Sequence, residues 1–237
     1  MMVEAVKAAK RAMFPIFRRV TSGQQIGLGV SGTGFFINDN GYFVTAAHCF
    51  DDASQQTDFI FYGLLPENLV DPPVVITEVA RDEQHDIFLG QVHLAGTDFL
   101  KFSDLKPEVG RTVCISGYPF SNITINQQGG FELGGVRPYY QPSFILDAFL
   151  APIPNNQGFV RTHDGYLIRD FGLYGMSGGP VVDVHGSILG MQASVTDPRD
   201  STNGTRTISV QNAVAIRKER IIALLSTSGV EYSNAGA

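Results

Sequence analysis

Short runs of aromatic and β-branched residues recur along this chain, and each one stops at glycine, proline, asparagine or aspartate. "MFPIFRRV", "GTGFFI", "GYFVTAAHCF", "DFIFYGLL", "VVITEVA", "DIFLGQVHL", "TVCISGYPF" and "PVVDVHGSILGMQASV" all have this form. Runs of this length suit strands and are too short for the helices of a bundle. The 26 glycines and 12 prolines supply turns between them. Asn40-Gly41 joins two apolar runs as a hairpin, and His185-Gly186 joins two more. "RTISVQNAV" is the last strand expected. The pattern predicts an all-β protein.

Only two segments have helical spacing. In "MVEAVKAAKRAM", residues 2–13, Met2, Ala5, Val6, Ala9 and Met13 share a face opposite Glu4, Lys7 and Arg11. A basic amphipathic helix can lie on a membrane or serve as a transit peptide; docking on the domain is the expectation. "AVAIRKERIIALL", residues 213–225, is the second. The polar segment 102–111, "FSDLKPEVGR", reads as a linker. The expected order is an N-terminal helix and lead-in over 1–19, a first β-barrel over 20–101, the linker, a second β-barrel over 112–212, and a C-terminal helix and tail over 213–237. That is two packed antiparallel six-stranded β-barrels with a short helix at each end.

The totals exclude several functions. A net charge of −6 argues against nucleic acid as the main partner. No apolar run approaches the roughly 20 residues needed to cross a bilayer. The N-terminus lacks a signal peptide's apolar stretch, so a cytoplasmic location is expected; a trimmed chain would be periplasmic or secreted. Cys49 and Cys114 are too few for a disulfide scaffold, and no metal-ligand spacing occurs. Two buried, reduced thiols are expected, with a single bridge as the alternative. No cofactor or metal is implied. Sequons at Asn122 and Asn203 are chance matches unless the chain is secreted.

"LYGMSGGPVV", residues 173–182, surrounds one serine with glycines. Such a turn can expose a hydroxyl and aim backbone N–H groups at one spot, the needs of a nucleophile beside an oxyanion site. Serine needs a general base, usually His, oriented by a carboxylate. His48 ends an apolar strand in "VTAAHCF", and Asp86 directly precedes one in "EQHDIFLG". His93, His163 and His185 read as surface or turn histidines, and His85 as a neighbour of Asp86.

Taken together, "GTGFFI…GYFVTAAHC", "HDIFLGQV" and "GMSGGPVVD" resemble the trypsin-like serine peptidases of the chymotrypsin fold, in the order His, Asp, Ser. The resemblance spans roughly residues 20 to 215. "GTGFFI", "VCISGYPF" and the distance from Ser177 to "GMQAS" are similar to the compact HtrA-type branch, here without a PDZ domain. It implies Ser177 as nucleophile, His48 as base and then acid, Asp86 as orienting carboxylate, and the N–H groups of Gly175 and Ser177 as the oxyanion hole. It also implies a serine endopeptidase acting on protein or peptide substrates through an acyl-enzyme.

Departures from the family pattern are informative. Secreted members carry an aspartate just before the serine that pairs with a newly cut N-terminus; Met176 stands there, so that activation is not expected. Cys49 has no upstream cysteine to pair with. Members that cut after Lys or Arg carry an aspartate where Phe171 stands, with Asp170 one residue earlier. With Tyr174 at the entrance and Gln192, Ala193 and Ser194 as a wall, small or medium apolar side chains are expected in the pocket. A one-residue slip would bring in Asp170 and reverse this. Gly129-Gly130 and Gly134-Gly135 mark a loop flanking the cleft. Two other functions fit the same motifs: an effector inactive until a regulatory partner orders the cleft, and a non-catalytic peptide-binding module.

Overall fold

Phenylalanine builds the first half of the molecule. The rings of Phe14, Phe36 and Phe43 pack face to face and edge to face, with centroids 4.7 and 5.0 Å from Phe14. Phe50 stacks on Phe88 at 3.9 Å. Each such pair is worth about 1 kcal/mol beyond its buried area. Phe14, Phe36 and Phe88 are buried, and so are the residues on either side of each, so these segments run through the core with neither face open.

The computed structural model describes residues 2–22, 25–51, 59–65, 74–125, 131–154, 160–196 and 212–236. The Asn203 sequon, the Gly129-Gly130 pair and residues 206–211 of the last expected strand lie outside them.

Helix α1 (Val3–Ala12) runs directly into β1 (Met13–Ser22). Then come β2 (Gln25–Phe36), β3 (Tyr42–Ala46), a 3₁₀ turn (Ala47–Phe50), β4 (Phe59–Gly63), β5 (Val74–Val75), β6 (Thr77–Asp82) and β7 (Ile87–Gln91). They form one antiparallel sheet of seven strands in the order β5-β4-β1-β2-β3-β7-β6. Six were expected. The seventh arises because the run expected at 74–80 divides into β5 and β6. The strand run at 13–20 forms β1, and residues 13–19, placed in the lead-in, pair with both β2 and β4 near the middle of the sheet. The Asn40-Gly41 turn falls between β2 and β3 as expected, with Asn38 Oδ1 accepting the N–H groups of Asn40 and Tyr42.

The second half contains β8 (Thr112–Gly117), β9 (Asn122–Ile125), β10 (Phe131–Gly135), β11 (Tyr139–Pro154), β12 (Val160–Ile168), β13 (Pro180–Val182), β14 (Ile188–Thr196) and β15 (Asn212–Arg217). Six of them close a barrel in the order β11-β12-β15-β14-β13-β8, and β9 pairs with β10 as a separate hairpin. Gly134-Gly135 therefore belongs to a strand. The chain ends in α2 (Lys218–Thr227) and a short tail.

One boundary is corrected. The C-terminal helix begins at Lys218, not at 213. Ala213, Val214, Ala215 and Ile216 are all fully buried, and β15 is paired on both sides, with β12 and β14. A strand buried on both faces loses the alternation that identifies it and reads as a plain apolar run.

The halves are tied at several places. Buried Ala5, Ala9 and Ala12 dock α1 on the domain, and Ala8 lies against the turn at Gly186 in the second half. Within the first half, Arg11 of α1 and Asp98 make a two-bond ion pair, at 2.7 and 3.1 Å. Phe102, the first residue of the expected linker, is fully buried and bridges to both Ile188 and Asn234. No helix among the described residues is long and apolar enough to cross a membrane.

Candidate active site

His48 lies in the 3₁₀ turn that follows β3, and Asp86 lies one residue before β7, the strand beside β3. Strand pairing of Ala46 with Ile87 puts the two residues side by side. Asp86 Oδ2 is 2.8 Å from His48 Nδ1, and Asp86 Oδ1 accepts the His48 backbone N–H at 2.9 Å. An ionised carboxylate only accepts, so Nδ1 carries the proton. Nε2 of the neutral ring is then the lone-pair nitrogen, the form a general base requires.

Asp86 is 1% exposed, while the His48 side chain is 31% exposed. The carboxylate is sealed and the imidazole reaches solvent. Asp86 is also the one non-glycine with positive φ among the described residues, at 61°. Aspartate tolerates this left-handed region better than most residues, and such backbones persist only where neighbours over-determine them. Here the Ala47 N–H donates to the Asp86 carbonyl at 3.1 Å, and Thr162 of the second barrel donates to Gln84 at 2.7 Å.

Ser177 comes from the second barrel, in the turn before β13. Its carbonyl accepts the Thr33 N–H at 2.8 Å and the Cys49 thiol at 3.6 Å, so the turn lies against the residue next to His48. No hydrogen bond joins the Ser177 hydroxyl to His48. Gly178 has φ +81°, and a Cβ there would sit 1.9 Å from Thr45 Oγ1, so no other residue fits.

The turn's peptide groups are pinned one after another. Met176 N–H donates to Leu173, Gly178 N–H to Gln192 and Gly179 N–H to Met176, all between 2.7 and 3.0 Å. Among the described residues the N–H groups of Gly175 and Ser177 donate to no backbone carbonyl. These are the two groups assigned to an oxyanion hole from the sequence. Met176 is fully buried in the apolar core of the second barrel, with Ile115 and Val181, where secreted peptidases keep an aspartate.

The residues expected at a specificity pocket separate by burial. Gln192 and Ala193 are buried and Ser194 is half-buried, whereas Phe171 is 48% and Tyr174 82% exposed. Tyr174 donates from its hydroxyl to the Val30 carbonyl at 3.4 Å. Gln192 Oε1 is buried with no hydrogen-bond partner among the described residues. Asp170 gives both carboxylate oxygens to Arg169.

His85 does not join Asp86. Its Nδ1 lies 2.7 Å from Asp82, in a separate pair. Cys49 and Cys114 are both buried free thiols, and burial pushes the Cys114 thiol up from its ordinary pKa. No cluster of three or more His, Cys, Asp or Glu among the described residues could hold a metal ion. Thr33 is the residue that sequence reasoning passed over. "GTG" was visible, but its partners Gly175 and Tyr118 lie 142 and 85 residues away.

A family model described as "Trypsin-like peptidase domain" matches residues 32–191, which contain His48, Asp86 and Ser177. A curated protein described as "Uncharacterized protein y4bJ", from Sinorhizobium fredii (strain NBRC 101917 / NGR234), is 27% identical over 203 residues, 84% of this chain. The chain spans 28% of that relative's length. Among solved structures, the Rv3671c protease from M. tuberculosis in its active form has a TM-score of 0.65 at 21% identity, over 97% of this chain and 86% of that one. The serine endoprotease from Yersinia pestis has a TM-score of 0.62 at 16% identity, over 96% of this chain and 66% of that one. At such identities these likenesses establish the fold, the chymotrypsin-like arrangement expected from the motifs. With the family model covering the serine, histidine and aspartate segments together, the chain belongs to the trypsin-like peptidases.

Proposed function

We propose that this chain is a serine endopeptidase that hydrolyses peptide bonds through an acyl-enzyme. Ser177 Oγ attacks the scissile carbonyl, and its proton passes to His48 Nε2. The carbonyl oxygen takes on negative charge opposite the N–H groups of Gly175 and Ser177. As the tetrahedral adduct collapses, the C–N bond breaks and the Nε2 proton leaves with the amine. Water then attacks the ester, returning a proton through His48 and releasing the acid. Asp86 keeps the proton on Nδ1 and stabilises the imidazolium that forms. No cofactor or metal takes part in these steps.

The observation that carries this proposal is the double hold of Asp86 on His48, through Nδ1 and the backbone N–H, beside a serine turn whose Gly175 and Ser177 N–H groups take no backbone partner. The proposed preference is for small or medium apolar side chains over Lys and Arg, because Phe171 stands where members that cut after Lys or Arg carry an aspartate, and the Asp170 carboxylate is engaged by Arg169. Faster cleavage after Arg than after Val or Ala in a matched peptide series would overturn that preference. Two free buried thiols fit a reducing compartment, such as the cytoplasm.

The test is intact mass after incubation with a fluorophosphonate, for the wild type and for Ser177→Ala. One adduct on the wild type and none on the variant is expected. Activity should also rise with pH between about 5 and 9 as an imidazole loses its proton, and a flat profile would contradict a histidine base.

A second function is favoured by one observation: the Ser177 hydroxyl makes no hydrogen bond to His48. An effector that waits for a regulatory protein partner to close that gap predicts a wild type that takes no label alone and takes it once the partner is added.

A further inference from the structure

Thr33 of β2 is fully buried; its N–H and hydroxyl reach the second half, and its carbonyl is held by β3. Its N–H donates to the Ser177 carbonyl at 2.8 Å. Its carbonyl accepts the Thr45 hydroxyl at 2.8 Å, three residues before His48. Its Oγ1 is 2.8 Å from the Gly175 carbonyl and accepts the Tyr118 N–H at 3.0 Å. The direction of the Gly175 bond follows from donor counting. A backbone N–H can only donate and a carbonyl can only accept, so the one hydroxyl proton points at Gly175.

β2 is free to do this because its ladder with β3 covers only Phe35 and Phe36. Earlier in the strand, that edge of β2 meets the serine turn instead of a neighbouring strand. Thr33 therefore fixes the peptides on both sides of Ser177. The Gly175–Met176 peptide is held by Thr33 at its carbonyl and by Leu173 at its N–H. The Ser177–Gly178 peptide is held by Thr33 at its carbonyl and by Gln192 at its N–H. Between them the Ser177 N–H is left with a single direction.

We propose that Thr33 is a positioning residue for the oxyanion site: its hydroxyl locks the Gly175–Met176 peptide, and its main chain sets the Ser177 turn in register with the strand that delivers His48. The proposal rests on the peptidase function above. It adds a residue from the first half to the machinery that aims the donors of the second. Oxyanion stabilisation acts on the transition state and not on ground-state binding, so losing the lock should reduce the rate and leave affinity in place.

The experiment compares wild type, Thr33→Ser and Thr33→Val, reading the rate of fluorophosphonate adduct formation at Ser177 by intact mass over a range of probe concentrations. Thermal unfolding of each variant is followed in parallel, and labelling is done well below every midpoint. Serine keeps the hydroxyl, while valine keeps the shape and deletes it. Removing an oxyanion donor slows a serine protease of an unrelated fold by about 10²–10³, so Thr33→Val should lose about 10²-fold in the maximal labelling rate with an unchanged half-saturating concentration, and Thr33→Ser should stay within about threefold. If valine is not accommodated, Thr33→Ala makes the same deletion in less volume. A folded Thr33→Val that labels like the wild type overturns the proposal, as does a Thr33→Ser as slow as Thr33→Val. A loss expressed only in the half-saturating concentration overturns it too. A wild type that takes no label removes the peptidase function and this role with it, whereas a labelled wild type with an equally labelled valine variant removes this role alone.

Discussion

Two buried aspartates, one in each half, are wired differently. Asp86 is 1% exposed and Asp183 3%. Both accept a backbone N–H from a nearby turn: Asp86 from His48, Asp183 from His185 and Ser187. Their other oxygens diverge. Asp86 Oδ2 faces an imidazole whose far side reaches solvent. Asp183 Oδ2 accepts the hydroxyl of Ser103, itself 3% exposed, at 2.5 Å. The Ser103 carbonyl in turn accepts from Lys218 of α2, which also donates to Leu105 at 3.0 Å. So Asp183 ends in a closed knot joining the linker, the β13–β14 turn and the last helix, while Asp86 ends in a group that can exchange a proton with something bound. Burial of a carboxylate does not mark a functional site by itself; what its donors lead to does.

The sharpest test of this contrast is Asp86→Asn. Labelling of Ser177 should fall by about 10⁴-fold, the scale of the same substitution in a Ser-His-Asp triad, because the amide favours the wrong tautomer of His48. Its unfolding midpoint should move by a few degrees at most. Asp183→Ala should do the reverse. It strands the Ser103 hydroxyl and two backbone donors, costs about 3 kcal/mol, and lowers the midpoint by about 6–12 °C. Labelling well below that midpoint should change only a few-fold. A collapse of labelling in Asp183→Ala would break the comparison.

Next in size is an effect of alkali that falls on the second half alone. Burial raises the pKa of Tyr118, Tyr140 and Tyr166 above the ordinary tyrosine value. Their contribution to stability is complete below about pH 10 and declines above it, since the unfolded phenols lose their protons first. A phenolate absorbance titration should show these three silent until the protein unfolds. Early titration of all three in the folded protein would contradict their burial. The smallest effect is expected for Lys218→Met, which removes the donor to Ser103 and Leu105 and should cost about 1 kcal/mol without altering labelling.

The sequence made the site more legible than the fold around it. Ser177, His48 and Asp86 lie in compact local patterns where glycine, alanine and β-prone neighbours mark a turn or a strand end. β11 and β12 were not identified from sequence, and Pro142, Pro152, Pro154 and Gly165 within them explain why. The prolines are tolerated because β11 pairs with β8 over its first part and with β12 over the rest, so no stretch is laddered on both sides. Residues 213–217 read as helix in the sequence because a strand buried on both faces has no period of its own. Thr33 and Ser103 were invisible for another reason: their partners are remote, and a single buried hydroxyl carries no local signature.

The position of β15 has a consequence for how the protein is made. The second barrel is closed by pairing of β15 with β12 and β14. A ribosome exposes Ser177 well before it exposes Asn212–Arg217. The nascent chain therefore carries Ser177, His48 and Asp86 while the cylinder that should hold the serine turn is still open along one seam. On the function proposed above, a chain released before residue 212 should take no fluorophosphonate label, because the serine turn would lack its closed barrel.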